Sequence, residues 1–424
     1  MRIIFYVLTT GVAAAVTWAL SLLILKLSHK YRLYPKIRAR DVHTRPTPRL
    51  GGVAMFLGVV VAMGVAALLP QLRPVFEDGN KILGILIASL IIVIMGVVDD
   101  IWDLDWLTKL AGQIIAAGVL AFGGIQIATI PIGGIIVATP RLSLILTIFA
   151  VVLVMNAVNF IDGLDGLVAG VAIIANGVFF IYSYYEQLHN NIDYFNLAAL
   201  VTAVLIGACL GFLPLNFHPA KLFMGDAGAL FVGLLMAVTA INVTGQIDPS
   251  TITSGTFGHG DLAPAFIPIV LPLAILVIPL LDFAMAVLRR LRAGKSPFSA
   301  DRQHLHHRLL DMGHSHLHAV LIFYAWTTVA SVGVLTFLFV RWYWSFVFLF
   351  VGFAVTTIFT LAPLSRRKSI EAAAQLTSEE DSSLQDVVHL DPLDAGALPE
   401  APATPQDAGA GSPLGRQHKK EASS

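Results

Sequence analysis

The chain has 424 residues, of which 56% are hydrophobic and only 13% charged, with a mean hydropathy of +0.78. Soluble domains carry about 25% charged residues, so the composition excludes a water-soluble globular protein and describes a polytopic membrane protein. The 27 basic and 27 acidic residues cancel, leaving no global field to attract nucleic acid. The single cysteine, Cys209, excludes an internal disulfide and a cysteine-rich metal site.

A spanning helix needs about 20 apolar residues. Eleven stretches meet that need, at roughly 3–25, 50–69, 82–99, 106–124, 142–160, 166–185, 195–214, 228–245, 264–287, 319–340 and 343–363. The expected fold is therefore all-α, a bundle of about eleven transmembrane helices. The first run, Ile3 to Leu25, is long enough to span and does not read as a cleaved signal peptide. Between the fourth and fifth, glycines and prolines break up a stretch (IQIATIPIGGIIVA, 125–138) whose alternation predicts a short hairpin on the outer face.

Charge sets the expected topology. Residues 26–49 hold eight Lys and Arg against one acid, Asp41. The loop after the ninth span holds Arg289, Arg290, Arg292, Lys295, Arg302 and Arg308, and a further basic run, Arg366-Arg367-Lys368, follows the last span. Eleven spans put all three on one side, while the opposite loops (70–81, 186–194, 246–263) are poor in Lys and Arg. The positive-inside rule makes that side cytoplasmic, with the N-terminus outside and the C-terminus in the cytoplasm. Residues 1–365 form the expected membrane domain. Residues 366–424, rich in Ala, Pro, Gly, Ser and acids, cannot bury enough apolar surface to fold and are expected to be a disordered tail.

Polar clusters punctuate this apolar chain, and carboxylates near hydrocarbon are costly enough to suggest function. Asp99 and Asp100 end the third span: they could bind a cation or act as a base, or be solvated at the interface. Asp103 lies one turn beyond, and Asp105 can pair with Lys109 at i,i+4. Asn156, Asn159, Asp162 and Asp165 recur every three residues, with Gly163 and Gly166 expected to loosen the helix into a turn. Their oxygens are hard donors of the kind Mg²⁺ prefers, although a capped helix end with a solvated turn gives the same pattern. Asp226, in Phe223-Met224-Gly225-Asp226, sits where an apolar helix begins and could cap it, and a ligand phosphate could use the helix N-terminus there. Phe223 could stack on a base or simply pack, and Lys221 could meet a phosphate. His304, His306 and His307 lie beside Arg302 and Arg308, a mixture better suited to anions and sugar hydroxyls than to zinc. His314, His316 and His318 read as a solvated helix start, and Asp282 could balance Arg289 or Arg290.

Five segments, HTRPTPRLGG (43–52), GVVDDIWDLDWLTKLAGQ (96–113), NAVNFIDGLDGLVAG (156–170), NFHPAKLFMGDAGALFVG (216–233) and DRQHLHHRL (301–309), together resemble the polyprenyl-phosphate N-acetylhexosamine-1-phosphate transferases of glycosyltransferase family 4. The resemblance runs from about residue 30 to 315, in family order. The HLHHR and PRLGG forms look like the bacterial branch that uses undecaprenyl phosphate and starts O-antigen, teichoic acid or related cell-envelope glycans. The branch that transfers phospho-MurNAc-pentapeptide is less similar.

The resemblance implies an inner-membrane enzyme with a cytoplasmic site. It would transfer GlcNAc 1-phosphate from UDP-GlcNAc to undecaprenyl phosphate and release UMP. Another UDP-N-acetylhexosamine or UDP-MurNAc-pentapeptide remains an alternative donor. It further implies Mg²⁺, with Mn²⁺ as a substitute, on Asp226 and Asn159. Asp99, Asp100 and Asp162 are the implied catalytic residues. His43, Arg49, Asn156, Asp165, Lys221, Phe223, Arg302, His304, His306, His307 and Arg308 are the implied substrate contacts. Homodimers occur in the family, and no residue of this sequence requires one. A cation transporter would use similar residues, but its site would lie near the bilayer midplane rather than at one face.

Overall fold

A computed structural model describes residues 2–31, 47–131, 135–189, 196–244, 263–292, 294 and 305–362. Eleven long helices stand where eleven spans were expected. They are α1 (Arg2–Tyr31), α2 (Gly51–Leu68), α3 (Gly79–Trp102), α4 (Trp106–Phe122), α5 (Pro140–Ile161), α6 (Leu167–His189), α7 (Leu197–Asn216), α8 (Gly225–Thr244), α9 (Ala263–Arg292), α11 (His316–Leu335) and α12 (Trp342–Ala362). A seven-residue helix, α10 (Leu305–Asp311), precedes α11, and a 3₁₀ segment (Pro70–Phe76) follows α2; neither was anticipated. Among the described residues, ten helices are long and apolar enough to cross a membrane. The remaining one, α4, has 17 residues, or about 25 Å at about 1.5 Å per residue. The chain is thus a polytopic, essentially all-helical membrane protein.

Among the described residues, the only strands are those of the anticipated hairpin. Strands β1 (Thr129–Pro131) and β2 (Ile135–Val137) pair antiparallel, with Thr129 opposite Val137. The tail proposed for 366–424 lies outside the described residues.

Local signals explain several helix boundaries. Asp105 caps α4 by accepting from the Thr108 N–H, and Thr139 caps α5 ahead of Pro140. Asn196 caps α7 through the Ala198 N–H, and Ser315 caps α11 through the His318 N–H. The third span ends at Trp102 because Asp103 turns left-handed at φ 54°. It runs three residues past the end expected at 99, and the Asp103 N–H still donates to the Asp99 carbonyl at 2.9 Å.

Packing centres on α8, which touches α2, α3, α5, α6, α7 and α9. Small residues permit this approach. A Cβ added at Gly52 would lie 2.2 Å from the Gly228 nitrogen, and one at Gly96 would lie 2.2 Å from the Ala227 Cα. Without a hydrophobic driving force between helices in lipid, such close backbone contact is a main source of cohesion. It also brings the ends of α2, α3 and α8 to one point.

Candidate active site

The site is built around the first turn of α8. The chain enters it through Gly225 at φ +67°, where a Cβ would lie 2.2 Å from Asp100 Oδ2 and 2.3 Å from the Arg49 carbonyl. Only glycine fits there. Beside it, residues 48–52 and 223–224 run as a short backbone ladder. The Gly51 N–H donates to the Phe223 carbonyl at 2.9 Å, Gly52 N–H to Met224 at 2.9 Å, and Phe223 N–H to Pro48 at 2.8 Å. The Pro- and Gly-rich segment before α2, a weak signal by itself, is therefore joined to the α7–α8 loop.

Asp226 lies inside the first turn of α8 rather than before it, so it is not the cap. That role falls to Asp100 on α3, whose carboxylate accepts from the Asp226 N–H at 3.3 Å and the Ala227 N–H at 3.5 Å. A helix N-terminus leaves donors unsatisfied, and a negative charge opposite them is favourable. Two adjacent aspartates thus divide their work, because Asp99 faces elsewhere.

The Asp226 side chain is the hub. Asn159 Nδ2 donates to its Oδ1 at 3.2 Å, and Lys109 Nζ lies 3.4 Å from its Oδ2. The same ammonium lies 2.6 Å from Asp99 Oδ2, while Asp99 Oδ1 accepts from the Leu104 N–H at 2.8 Å. Asp99 is only 2% exposed, against 34% for the Asp226 side chain, so Asp226 is the carboxylate that opens to the outside. Lys109 does not follow its expected i,i+4 pairing with Asp105. Asp105 is engaged as the α4 cap, and hydrogen bonds from Thr108 hold its carboxyl below the usual range. That leaves Lys109 to bridge two helices.

Asp162 follows the end of α5 directly and is half-buried. Burial pushes its carboxyl up to about 7, the charges of Asp226 and Asp165 add to the rise, and Arg49 opposes it. Asp99, Asp100, Asp162 and Asp226 thus converge with Lys109 and Arg49 as counter-charges, an excess of anionic oxygen at one end of the bundle. Among the described residues no three His, Cys, Asp or Glu side chains form a closed metal cage. Mg²⁺ commonly takes only one or two carboxylates and completes its shell with water and substrate phosphates, so an open, acid-rich site suits it. Asn159 meets Asp226 through its amide nitrogen, which makes it a support for that carboxylate in this geometry.

Other anticipated residues sit around this hub. Asn156, one turn deeper on α5, is paired with Gln113 of α4 (Nδ2 to Oε1, 2.5 Å) and does not join Asp226 directly. Asp165 is buried and accepts from the Ala220 N–H at 3.0 Å, with His218 Nδ1 2.8 Å away. Asn216 links the same two loops, accepting from the Gly166 N–H and donating to the Leu222 carbonyl, both at 3.0 Å. Lys221 is exposed and Phe223 half-buried on the loop so held.

Arg308 is exposed on α10, whose first N–H, at Leu305, donates to Asp282 Oδ1 at 2.8 Å. Asp282 therefore anchors the histidine-bearing helix, and Arg290 lies over the Phe160 ring, 5.3 Å from its centroid. His306 and His307 fall on α10. His43, Arg302 and His304 lie outside the described residues. His318 is solvated at the start of α11, but His316 stacks on His218 and His314 Nε2 meets the Thr360 carbonyl at 2.9 Å.

Sequence reasoning missed Lys109, Gln113, Asn216 and His218 as parts of this assembly. Lys109 had a satisfying local partner in Asp105, and the other three lie within motifs whose carboxylates drew the attention. Only Lys109 carried a local signal, lying one turn from Asp105; Gln113, Asn216 and His218 have no acid or amide one turn away.

Comparison with known proteins finds relatives over most of the chain. The family model described as glycosyl transferase family 4 matches residues 82–244, which hold Asp99, Lys109, Asn159 and Asp226. A decaprenyl-phosphate N-acetylglucosaminephosphotransferase from Mycobacterium leprae is 39% identical over 361 residues, covering 84% of this chain and 89% of that one. One of the same name from Mycobacterium tuberculosis is 41% identical over 339 residues, 79% and 82% of the two chains. A probable undecaprenyl-phosphate N-acetylglucosaminyl 1-phosphate transferase from Bacillus subtilis is 32% identical over 291 residues, 67% and 72%. With relatives of 39–41% identity covering most of its length, the chain belongs to glycosyl transferase family 4, among the polyprenyl-phosphate N-acetylglucosamine-phosphate transferases.

Proposed function

We propose that this protein transfers GlcNAc 1-phosphate from UDP-GlcNAc to a polyprenyl phosphate at the cytoplasmic face of a bacterial inner membrane, releasing UMP. The observation that carries the reading is the meeting of Asp99, Asn159 and Asp226 around Lys109, with Asp100 holding the start of α8. The relatives at 39–41% identity are named for decaprenyl phosphate and those at 28–32% for undecaprenyl phosphate. Decaprenyl phosphate is therefore our preferred acceptor, in place of the undecaprenyl phosphate anticipated from the motifs. The basic ends of α1 and α9, with Lys30 and Arg289, Arg290 and Arg292, support a cytoplasmic site.

In this reading an oxygen of the lipid phosphate attacks the sugar-bearing phosphorus. The bond from that phosphorus to the bridging oxygen breaks, and UMP leaves with the electron pair. Such transfers depend mainly on positioning and electrostatic stabilisation. Lys109 supplies positive charge beside the reacting phosphates and keeps Asp99 and Asp226 together. A lipid phosphate has a second pKa of about 6 and is largely dianionic at neutral pH, so it needs little help in losing a proton. Both oxygens of Asp99 are engaged, by Leu104 and Lys109, so we assign it to orienting Lys109 rather than to accepting a proton. Asp226 and Asp162 would hold Mg²⁺. When bound, the ion supplies Lewis-acid neutralisation of the diphosphate. The 162–166 turn and the 217–223 loop, carrying Asp165, Lys221 and Phe223, flank the nucleotide.

The test uses purified full-length protein in detergent with decaprenyl or undecaprenyl phosphate, Mg²⁺, and in turn UDP-GlcNAc, UDP-GalNAc or UDP-MurNAc-pentapeptide. UMP release is followed together with the mass of the lipid product. UMP with a GlcNAc-bearing lipid, abolished by EDTA, is the expected outcome. UMP with only another sugar would keep the chemistry and change the donor. No UMP from any donor with folded protein would overturn the reading.

A further inference from the structure

Helix α11 lies outside the five segments that carry the resemblance and outside the matched residues 82–244, yet it reaches the site at two points. The Tyr324 hydroxyl donates to the Gly166 carbonyl at 2.6 Å. Gly166 has φ +76° and gives its N–H to Asn216 Oδ1 at 3.0 Å. Side chains from two different helices thus grip both polar groups of one residue in the α5–α6 turn. The Tyr324 ring lies across Gly170, where an added Cβ would come within 2.0 Å of the ring Cζ and the hydroxyl oxygen. The absence of a side chain at Gly170 creates the niche that brings the hydroxyl to the turn. At the second point, the His316 ring stacks on His218 at 5.3 Å with an interplanar angle of 5°, and His218 Nδ1 meets Asp165 Oδ2 at 2.8 Å.

We propose that Tyr324 is a positioning residue for the donor side of the reaction, fixing the 162–166 turn, and with it Asp162 and Asp165, against α11. The proposal rests on the reading above that sets the nucleotide beside this turn. Packing alone would require the ring but not the hydroxyl, and the two can be separated. The hydroxyl holds the Gly166 carbonyl, which also accepts from the Gly170 N–H at 3.0 Å, and Asn216 holds the peptide N–H that follows Asp165, so the turn is fixed on both sides of Gly166. The Asp99–Lys109 pair on α3 and α4 is held by separate contacts.

Tyr324→Phe keeps the ring in the Gly170 niche and removes only the hydroxyl. One neutral hydrogen bond is worth about 1 kcal/mol, so KM for the nucleotide sugar should rise about fivefold. The kcat value, KM for the lipid acceptor and the thermal midpoint should stay close to those of the parent. Amide hydrogen exchange on the same full-length protein supplies a readout independent of turnover. Exchange across 162–170 should quicken in the variant while that across 99–109 stays as in the parent. Unchanged exchange across 162–170 overturns the proposal, as does a loss of stability that moves both KM values together. If the parent chain fails to turn over any donor, the functional reading falls, and the exchange experiment still decides whether Tyr324 holds the turn.

Discussion

Helices α8 and α12 are both apolar segments long enough to span a bilayer, yet 89% of the α8 window is buried inside the protein and only 11% of the α12 window. Their sequences explain the contrast. Along α8, Gly225, Ala227, Gly228, Ala229 and Gly233 offer little side chain, so neighbouring backbones come close. A Cβ at Gly233, for example, would lie 2.8 Å from the Met155 Cα. Along α12, Trp344, Phe346, Phe350, Ile358 and Phe359 stay exposed, as expected of a helix bathed in lipid. Side-chain size, more than hydropathy, decides which span becomes the axis of the bundle. The axis can carry Asp226 at its end because α3, α4 and α5 bring polar partners to it there, in Asp100, Lys109 and Asn159.

The comparison breaks most visibly at Asp226. Asp226→Ala should lower transfer by about 10²–10³-fold, the scale seen when a group that stabilises developing charge is removed. The helix itself should survive, because Asp100 supplies its cap through backbone donors. Retained α-helical circular dichroism with lost UMP release is the expected pair of results; full turnover by the folded variant would remove Asp226 from the site. Lys109→Met should cost less, about 10²-fold, the low end of the same range. It also leaves Asp99 buried beside Asp226 without that counter-charge, so its thermal midpoint should fall as well. Gly52→Ala tests the close approach of α2 to the site end of the axis. The added methyl meets backbone at Gly228, which cannot swing aside, and overpacking of this kind costs about 1–3 kcal/mol. A lower thermal midpoint would be the sign, measured in detergent against the parent.

Much of this arrangement was legible in the residues. The eleven long helices follow from hydropathy, ten of them long and apolar enough to span a membrane, and the 125–138 hairpin follows from alternation and glycine placement. The 162–166 turn follows from Gly163 and Gly166 interrupting a polar triplet repeat. What sequence could not give is partnership across helices. Lys109 has an acid four residues before it and two more across helix boundaries, and only packing shows that the latter win because Asp105 is needed at its own helix end. Asp100 as the cap of α8 is similarly invisible, since the two elements are more than a hundred residues apart. The pairing of residues 48–52 with 223–224 depends on backbone groups, which side-chain patterns do not reveal. Tyr324 shows no motif at all; its partner is a carbonyl, which every residue carries.

Two smaller effects sharpen the contrast. Asp162 carries a carboxyl pushed up to about 7 by burial, so the folded state binds its proton more tightly than the unfolded chain does. With a folded value above the ordinary one near 3.8, stability is highest below that value and declines as pH rises toward 7. Metal-free protein should therefore lose thermal stability between pH 5 and 7, and Asp162→Asn should flatten that slope. A slope unchanged in the variant would assign the decline to other groups.

At the lipid-facing extreme, Phe350→Ala on α12 removes a large side chain that is 77% exposed. Little protein contact is lost, and the methyl that remains is still compatible with a membrane helix, so transfer rate and thermal midpoint should match the parent within error. The same truncation on α8 at Phe231, which is fully buried and packs edge-on against Phe56 at 5.8 Å, opens a cavity and should cost about 3–5 kcal/mol. Equal effects from the two phenylalanines would mean that α12 has a protein partner in the membrane and that its exposed face is not simply lipid-facing.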